Sequence, residues 1–170
     1  MDDLITKAQR GDRLAVADLA RDHYAKVYRF CVRRVGDESA KDATQDTFVT
    51  MQKSIRKYEA RSTFETWLFG IANNACRNLA RRMRIEPLRI ENWMEAQTDG
   101  GHGEVEARTD LASALVKLSP EHREVVVMHE IEEMTYAQIA EILGVPEGTV
   151  KSRLHHAFVA LRRSFAGVTA

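Results

Sequence analysis

Two cysteines, three prolines and no apolar run of membrane-spanning length are features of this 170-residue chain, and each scarcity excludes a class of protein. Cys31 and Cys76 fall in helical patterns with no CxxC neighbour. A disulfide framework and a metal site are therefore not expected, and the two read as small core residues in a reducing cytosol. The opening MDDLITKAQRGD has no apolar signal-peptide core, so a cytoplasmic protein without membrane insertion is expected. Charge of one sign is also missing overall, since 25 Lys and Arg balance 25 Asp and Glu. That balance argues against a nucleic-acid partner only until it is divided along the chain. Residues 1–84 hold 17 basic residues against 11 acidic, residues 85–110 hold 2 against 7, and residues 111–170 hold 6 against 7. An acidic middle thus cancels a basic first part. From Glu147 to the end, four basic residues face one acid.

What the sequence has in quantity is helical periodicity. Leu4 to Arg10 forms a short pattern broken at Gly11-Asp12, and a long one follows with Ala17, Ala20, Tyr24, Val27, Cys31 and Val35 as its apolar stripe. Gly36 ends it. Asp37 to Ser39 can cap a third helix whose inner side is Ala40, Ala43, Thr47, Phe48, Met51, Ile55 and Tyr58. Its outer side begins with Asp42, Gln45 and Asp46, acids that also suit a helix N-terminus on dipole grounds alone. Ser62 with Glu65 reads as a capping box that opens STFETWLFGIANNACRNLARRMR. Phe64, Trp67, Leu68, Ile71, Ala72, Ala75 and Leu79 form its buried side; Phe69, Asn73, Arg77 and Arg81 point elsewhere, with Asn74 at the rim. Amides, arginines and an off-stripe aromatic on one surface are what single-stranded nucleic acid requires, for hydrogen bonding, phosphate contact and stacking. An amphipathic helix whose Phe69 meets a neighbouring helix fits the same residues equally well.

Residues 85–108 change character, with Pro87, the run TDGGHG and net negative charge, and are expected to be a flexible acidic linker. Trp93, alone there, is expected to dock on one of the flanking domains. A helical pattern restarts at Leu111, Ala114, Leu115 and Leu118. Ser119-Pro120 then caps a helix with Val126, Val127, Met128, Ile131 and Met134 turned inward. TYAQIAEILGVPEGTVKSRLHHAFVAL, from Thr135 to Leu161, has the form of a helix-turn-helix. Thr135 and Gln138 supply a capping box, Gly144 a helix end, Val145 a plug, and Pro146 the start of a second helix with Val150, Leu154, Ala157, Leu161 and Phe165 as its stripe. The opposite face carries Gly148, Thr149, Ser152, His155 and His156, flanked by Lys151 and Arg153. Small residues that allow close approach, hydroxyls, imidazoles and cations suit duplex DNA. A solvated face on a helical hairpin is the plainer alternative. The expected fold is all-α: two small helical domains, residues 1–84 and 109–170, joined by the linker at 85–108, with the helix-turn-helix in the second.

Four stretches carry a family resemblance: AKDATQDTF at Ala40–Phe48, STFETWLFGIANNACRN at Ser62–Asn78, LSPEHREVVVM at Leu118–Met128 and YAQIAEILGVPEGTVKSRL at Tyr136–Leu154. Together they resemble bacterial sigma factors of the extracytoplasmic function group, minimal members of the major sigma family. The resemblance implies a promoter-specificity subunit for RNA polymerase, with no catalytic residue, metal or cofactor of its own, that also assists promoter melting, in a response to stress or another signal. It assigns Asp42, Gln45, Asp46 and Phe48 to the coiled coil of the polymerase's largest subunit. It assigns Ser62, Thr63, Phe69, Asn73, Asn74, Arg77 and Arg81 to the melted upstream strand, with Asn74 at the pocket for a flipped base. Gly148, Thr149, Lys151, Ser152, Arg153, His155 and His156 fall to the duplex minus-thirty-five element. Further implied partners are the flap of the second-largest subunit, promoter DNA and an anti-sigma factor. His156 and Phe158 stand where the family usually or often has arginine, so this reader is less basic than most. A sensor-type activator would have no need of the Asp42–Phe48 and Trp67–Asn78 motifs. A metal-dependent nuclease would use Asp42, Asp46 and a histidine, but no matching histidine or third carboxylate is placed by the sequence.

Overall fold

The computed structural model describes residues 2–84, 111 and 113–166. Trp93 and the acidic linker lie outside the described residues, so the expectations placed on them are not addressed by it. Every regular element among the described residues is helical: α1 (Asp2–Gln9), α2 (Arg13–Val35), α3 (Asp37–Ser54), α4 (Phe64–Met83), α5 (Pro120–Val126), α6 (Tyr136–Leu143) and α7 (Glu147–Ala166). A 3-10 turn, Ile55–Lys57, ends α3, and a π-helical turn, Val127–Ile131, continues α5. None of these helices is long and apolar enough to cross a membrane.

In the N-terminal half α2, α3 and α4 pack mutually. Their core holds Leu19, Val27, Phe30, Cys31, Ala43, Met51, Leu68, Ala72 and Cys76, all buried. The two cysteines are thus core residues as expected; their mutual interaction lowers the Cys31 pKa, while it and burial push the Cys76 thiol up. Asp12 caps α2 by accepting from the Leu14 and Ala15 amides. One residue separates α2 from α3, and it is a glycine for a steric reason: Gly36 sits at φ +80, donates to the Val32 carbonyl at 2.9 Å and accepts from the Ala40 amide at 2.9 Å.

The stripe expected on α2 is partly wrong. Ala17 is exposed, and Tyr24 is 50% exposed, stacked instead on Tyr28 and Phe48 with ring centroids 6.0 and 6.1 Å apart. The buried row is Ala15, Leu19, His23, Val27, Phe30 and Arg34. Apolarity alone hid it, because His23 satisfies itself on the Leu19 carbonyl at 2.9 Å and Arg34 is buried only by virtue of a distant partner. The start of α4 also differs: Thr63, not Ser62, is the cap, its hydroxyl accepting from the Thr66 amide at 3.2 Å.

In the C-terminal half Ser119 caps α5 and Pro120 occupies its first turn, as expected. Arg123 is buried and its guanidinium donates to the carbonyls of Leu115, Val116 and Leu118, tying α5 to the helical residues before it. The Thr135–Gln138 capping box forms in full, Gly144 is left-handed at φ +67, and Val145 packs on the core. Pro146 precedes α7, its carbonyl accepting from Thr149 at 2.9 Å. Ile139, Val150, Leu154, Ala157 and Leu161 are buried between the helices, whereas Phe165, expected on the same stripe, is 43% exposed.

Candidate nucleic-acid interface

On α3, Asp42, Gln45 and Asp46 are exposed along one side. Phe48 is half-buried beneath Tyr24, so the acids are bordered by an aromatic ladder that ends in the Tyr28 hydroxyl, which donates to Asp37 at 2.6 Å. That bond to a carboxylate, with some burial, pushes the Tyr28 pKa up to about 12.

The α4 surface divides into two stripes. Gly70, Asn74, Asn78 and Arg81 recur at helical spacing; Asn74, Asn78 and Arg81 are exposed, with Gly70 and the neighbouring Trp67 half-buried. Trp67 packs in an aromatic cluster with Tyr58 and Phe64, at centroid distances of 5.1 and 5.6 Å, while the Tyr58 hydroxyl donates to the Ser62 carbonyl at 2.6 Å. The loop before α4 is therefore held by the same cluster that supports the open stripe.

The second stripe, Ser62, Thr66, Phe69, Asn73 and Arg77, faces the C-terminal half. Ser62 donates to Glu141, Gln138 donates to Thr66 at 3.2 Å, and Arg77 reaches Glu124 at 3.2 Å. Phe69 packs on Phe30 at 4.8 Å. Asn73, expected on a strand-binding surface, is only 1% exposed and accepts from Arg34 Nε at 3.3 Å. Sequence reasoning could not separate Asn73 from Asn74, since both are amides at adjacent positions and only the tertiary partner differs.

Arg34 organises this junction. Its guanidinium lies 3.3 Å from the Phe30 ring centroid, donates to the Phe30 carbonyl at 3.2 Å, and forks onto Glu132 at 2.9 and 3.4 Å. Arg33 adds a third bond to Glu132 at 3.4 Å. Burial opposes the charge on Arg34, but Glu132 outweighs it and holds the Arg34 pKa above its ordinary value.

The α7 surface carries the duplex candidates. Gly148, Lys151, Ser152, His155 and His156 are exposed, while Thr149 and Arg153 are half-buried at the edges. A Cβ at Gly148 would meet nothing within 4 Å, so its smallness leaves room for an approaching partner and is not needed for packing. Lys151 pairs with Glu147 at 3.1 Å and lies 5.7 Å from the Tyr136 ring centroid. His122, which the sequence reading left out, joins this surface from the first turn of α5, its ring 6.2 Å from that of His156. The Ser119-Pro120 cap was the available signal, because it fixes residue 122 in that turn.

Comparison with known proteins bears on both halves. The model for sigma-70 region 2 matches residues 19–85, and that for sigma-70 region 4 matches residues 108–161. The RNA polymerase sigma factor YlaC of Bacillus subtilis is 32% identical over 89% of this chain and 92% of its own. The ECF RNA polymerase sigma factor SigW of the same organism is 28% identical over 94% of this chain and 93% of its own. This chain is an extracytoplasmic function sigma factor. The sigma factor is also similar to SigE of Mycolicibacterium smegmatis, an ECF RNA polymerase sigma factor, at 36% identity over 89% of this chain and 63% of that one. The fold is shared with CnrH, solved in complex with the cytosolic domain of CnrY, at a TM-score of 0.68, with 24% identity and 96% of each chain covered. It is shared too with RpoE of Bartonella quintana, solved with the anti-sigma factor NepR, at a TM-score of 0.60, with 23% identity over 94% of this chain and 98% of that one. As a sigma factor it serves promoter-specific transcription initiation by RNA polymerase.

Proposed function

We propose that this sigma factor divides its work among three helices. The exposed side of α3, with Asp42, Gln45, Asp46 and the edge of Phe48, meets the coiled coil of the largest polymerase subunit. The α4 helix and the loop before it meet the melted upstream strand, and α7 reads the minus-thirty-five duplex. Residues 1–84 and 109–170 act as two domains, with 85–108 spanning them, and the C-terminal domain also meets the flap of the second-largest subunit. The protein works in the cytoplasm, in a stress or signal response, without catalysis or cofactor of its own, and an anti-sigma factor restrains it. CnrH and RpoE, whose fold it shares, were each solved with a bound partner, NepR being named an anti-sigma factor.

One contrast carries the α4 assignment: Asn73 is buried against Arg34, whereas Asn74 is exposed, its side chain without a partner among the described residues. A free amide both donates and accepts, which matches the hydrogen-bonding edge of a base turned out of the stack. Around it, Arg81 supplies charge for phosphates and Trp67 an aromatic edge. On α7 the exposed Lys151, Ser152, His155 and His156 supply donors for base edges and phosphates. Core polymerase reconstituted with this protein on a promoter pool tests the whole reading. Discrete start sites sharing an upstream element are expected, and no transcription above that of core alone would refute it.

A further inference from the structure

The fixed charges on the duplex face of α7 cancel. Lys151 is paired with Glu147 at 3.1 Å. Half-buried Arg153 is opposed by Glu121 of α5, an exposed acid whose carboxyl is held below the ordinary carboxylate range by hydrogen bonds from its own backbone and from Ser119, with attraction to Arg153 and His122 adding to them. What remains beside these two cations and two acids is imidazole. His122 of α5 and His156 of α7 have ring centroids 6.2 Å apart and planes 29° from parallel, and His155 meets His156 edge-on at 5.6 Å. Other charged groups on the elements packed against α7 are engaged elsewhere: Arg123 is turned inward onto backbone carbonyls, Glu124 takes Arg77, and Glu141 of α6 accepts from Ser62. His129, on the π-helical turn, has its Nδ1 2.7 Å from Glu130 and its ring stacked on Tyr136. Arg162 and Arg163 are exposed about two turns beyond His155 along α7.

We propose that His122 and His156 together hold one phosphate of the promoter duplex and take up a proton in doing so, which extends the duplex interface beyond the helix-turn-helix onto α5 and makes promoter binding pH-dependent. The proposal rests on the assignment of α7 to the minus-thirty-five duplex. Histidine is the side chain whose charge ordinarily changes between about pH 5 and 8. A neutral ring already donates one N–H to a phosphate oxygen, and a protonated ring adds charge to that bond. In the free protein, two protonated rings this close disfavour each other; a phosphate shared between them reverses that balance. Each ring therefore holds its proton more firmly with duplex bound than without it. Affinity consequently rises as pH falls through the range in which the complex is protonated and the free protein is not, and it levels off once both are. Arginine or lysine at the same positions has no such response, because it stays charged throughout that range.

Binding of the full chain to a fluorescent mixed-sequence duplex oligodeoxynucleotide, titrated at about pH 8 and about pH 6 over a series of salt concentrations, tests this, since phosphate contacts do not depend on sequence. About tenfold tighter binding is expected at the lower pH, as uptake of about one proton over part of that range requires, with a salt slope steeper by about one. His122→Gln with His156→Gln keeps a neutral polar side chain at each position and should bind as the unaltered protein does at the higher pH, at both pH values. His156→Arg should restore tight binding at both and lessen the dependence on pH. An unaltered protein whose affinity does not change with pH overturns the proposal. Equal tightening in the double glutamine variant overturns it too, because the protons then go elsewhere, His155 included. Lys151→Ala with Ser152→Ala separates the two levels of failure. If it weakens duplex binding at both pH values while the pH effect is absent, only the imidazole contact is lost; if it leaves binding unchanged, the α7 assignment fails and the proposal with it.

Discussion

Replacing Asp42 and Asp46 together with alanine separates a binding face from a structural one. Both carboxylates are exposed, neither forms an ion pair or side-chain hydrogen bond among the described residues, and both lie beyond the first turn of α3, which begins at Asp37. Loss of such groups changes folding stability by no more than about 0.5 kcal/mol each. At an interface the same carboxylates face cations in a partly dehydrated setting, where charge pairs contribute about 1.5 kcal/mol or more apiece. Two such losses total about 3 kcal/mol, or roughly 150-fold in Kd at about 1.4 kcal/mol per decade. Titration of labelled protein with core polymerase, alongside a thermal melt, reads both quantities. The expected result is a Tm within about 2 °C of the unaltered protein, since 1 kcal/mol shifts a domain of this size by only a few degrees, together with core binding weakened by two orders of magnitude. Phe48→Ala provides the contrast: its ring packs under Tyr24, so it should lower Tm as well as affinity. Unaltered core binding by the double variant refutes the α3 assignment, and a fall in Tm that accounts for the lost binding would make the acids structural.

Substitution of Lys151, Ser152, His155 and His156 one at a time should sort them by promoter preference. Losing a base-edge contact costs about 1–3 kcal/mol at one base pair, whereas losing a phosphate contact weakens all promoters alike and lowers the salt slope by about one; unchanged start-site selection with all four altered would remove α7 from the reading. Gly144→Ala meets no atom within 4 Å and leaves only the left-handed φ of +67 to be tolerated. Its cost should therefore be about 1–2 kcal/mol in a denaturant melt, with the minus-thirty-five preference retained.

The elements read correctly from sequence are those whose causes are local. Thr135 with Gln138, Ser119 with Pro120, and Gly144 each satisfy or terminate backbone within a few residues, so their chemistry can be recognised without a partner. Ser62 failed as a cap because Thr63, equally suitable by type, takes the position, and the side chain of Ser62 turns to Glu141. Arg34 failed as a core residue for a different reason. An arginine enters a core only when a carboxylate and further acceptors meet it, and its carboxylate lies 98 residues away. Asn73 is buried for the same reason, since it is held by Arg34 and not by its own helix. The candidate faces on α3 and α7 were legible because exposure there follows from helical period alone, while the face of α4 depends on which half of the chain it meets.

The central claim, that this sigma factor opens promoters by holding an unpaired base on α4, is tested most directly by the rate of open-complex formation with Asn74→Ala. Asn74 is exposed and its loss removes no described contact, so fold, core binding and closed-promoter binding should be unchanged. Only the unpaired base gains the amide, and a neutral hydrogen bond of about 1 kcal/mol predicts opening slowed roughly fivefold or more. A template already unpaired at that position should recover part of the loss, because the unpairing cost is removed in advance. Opening of duplex promoters by Asn74→Ala at the rate of the unaltered protein would contradict the account.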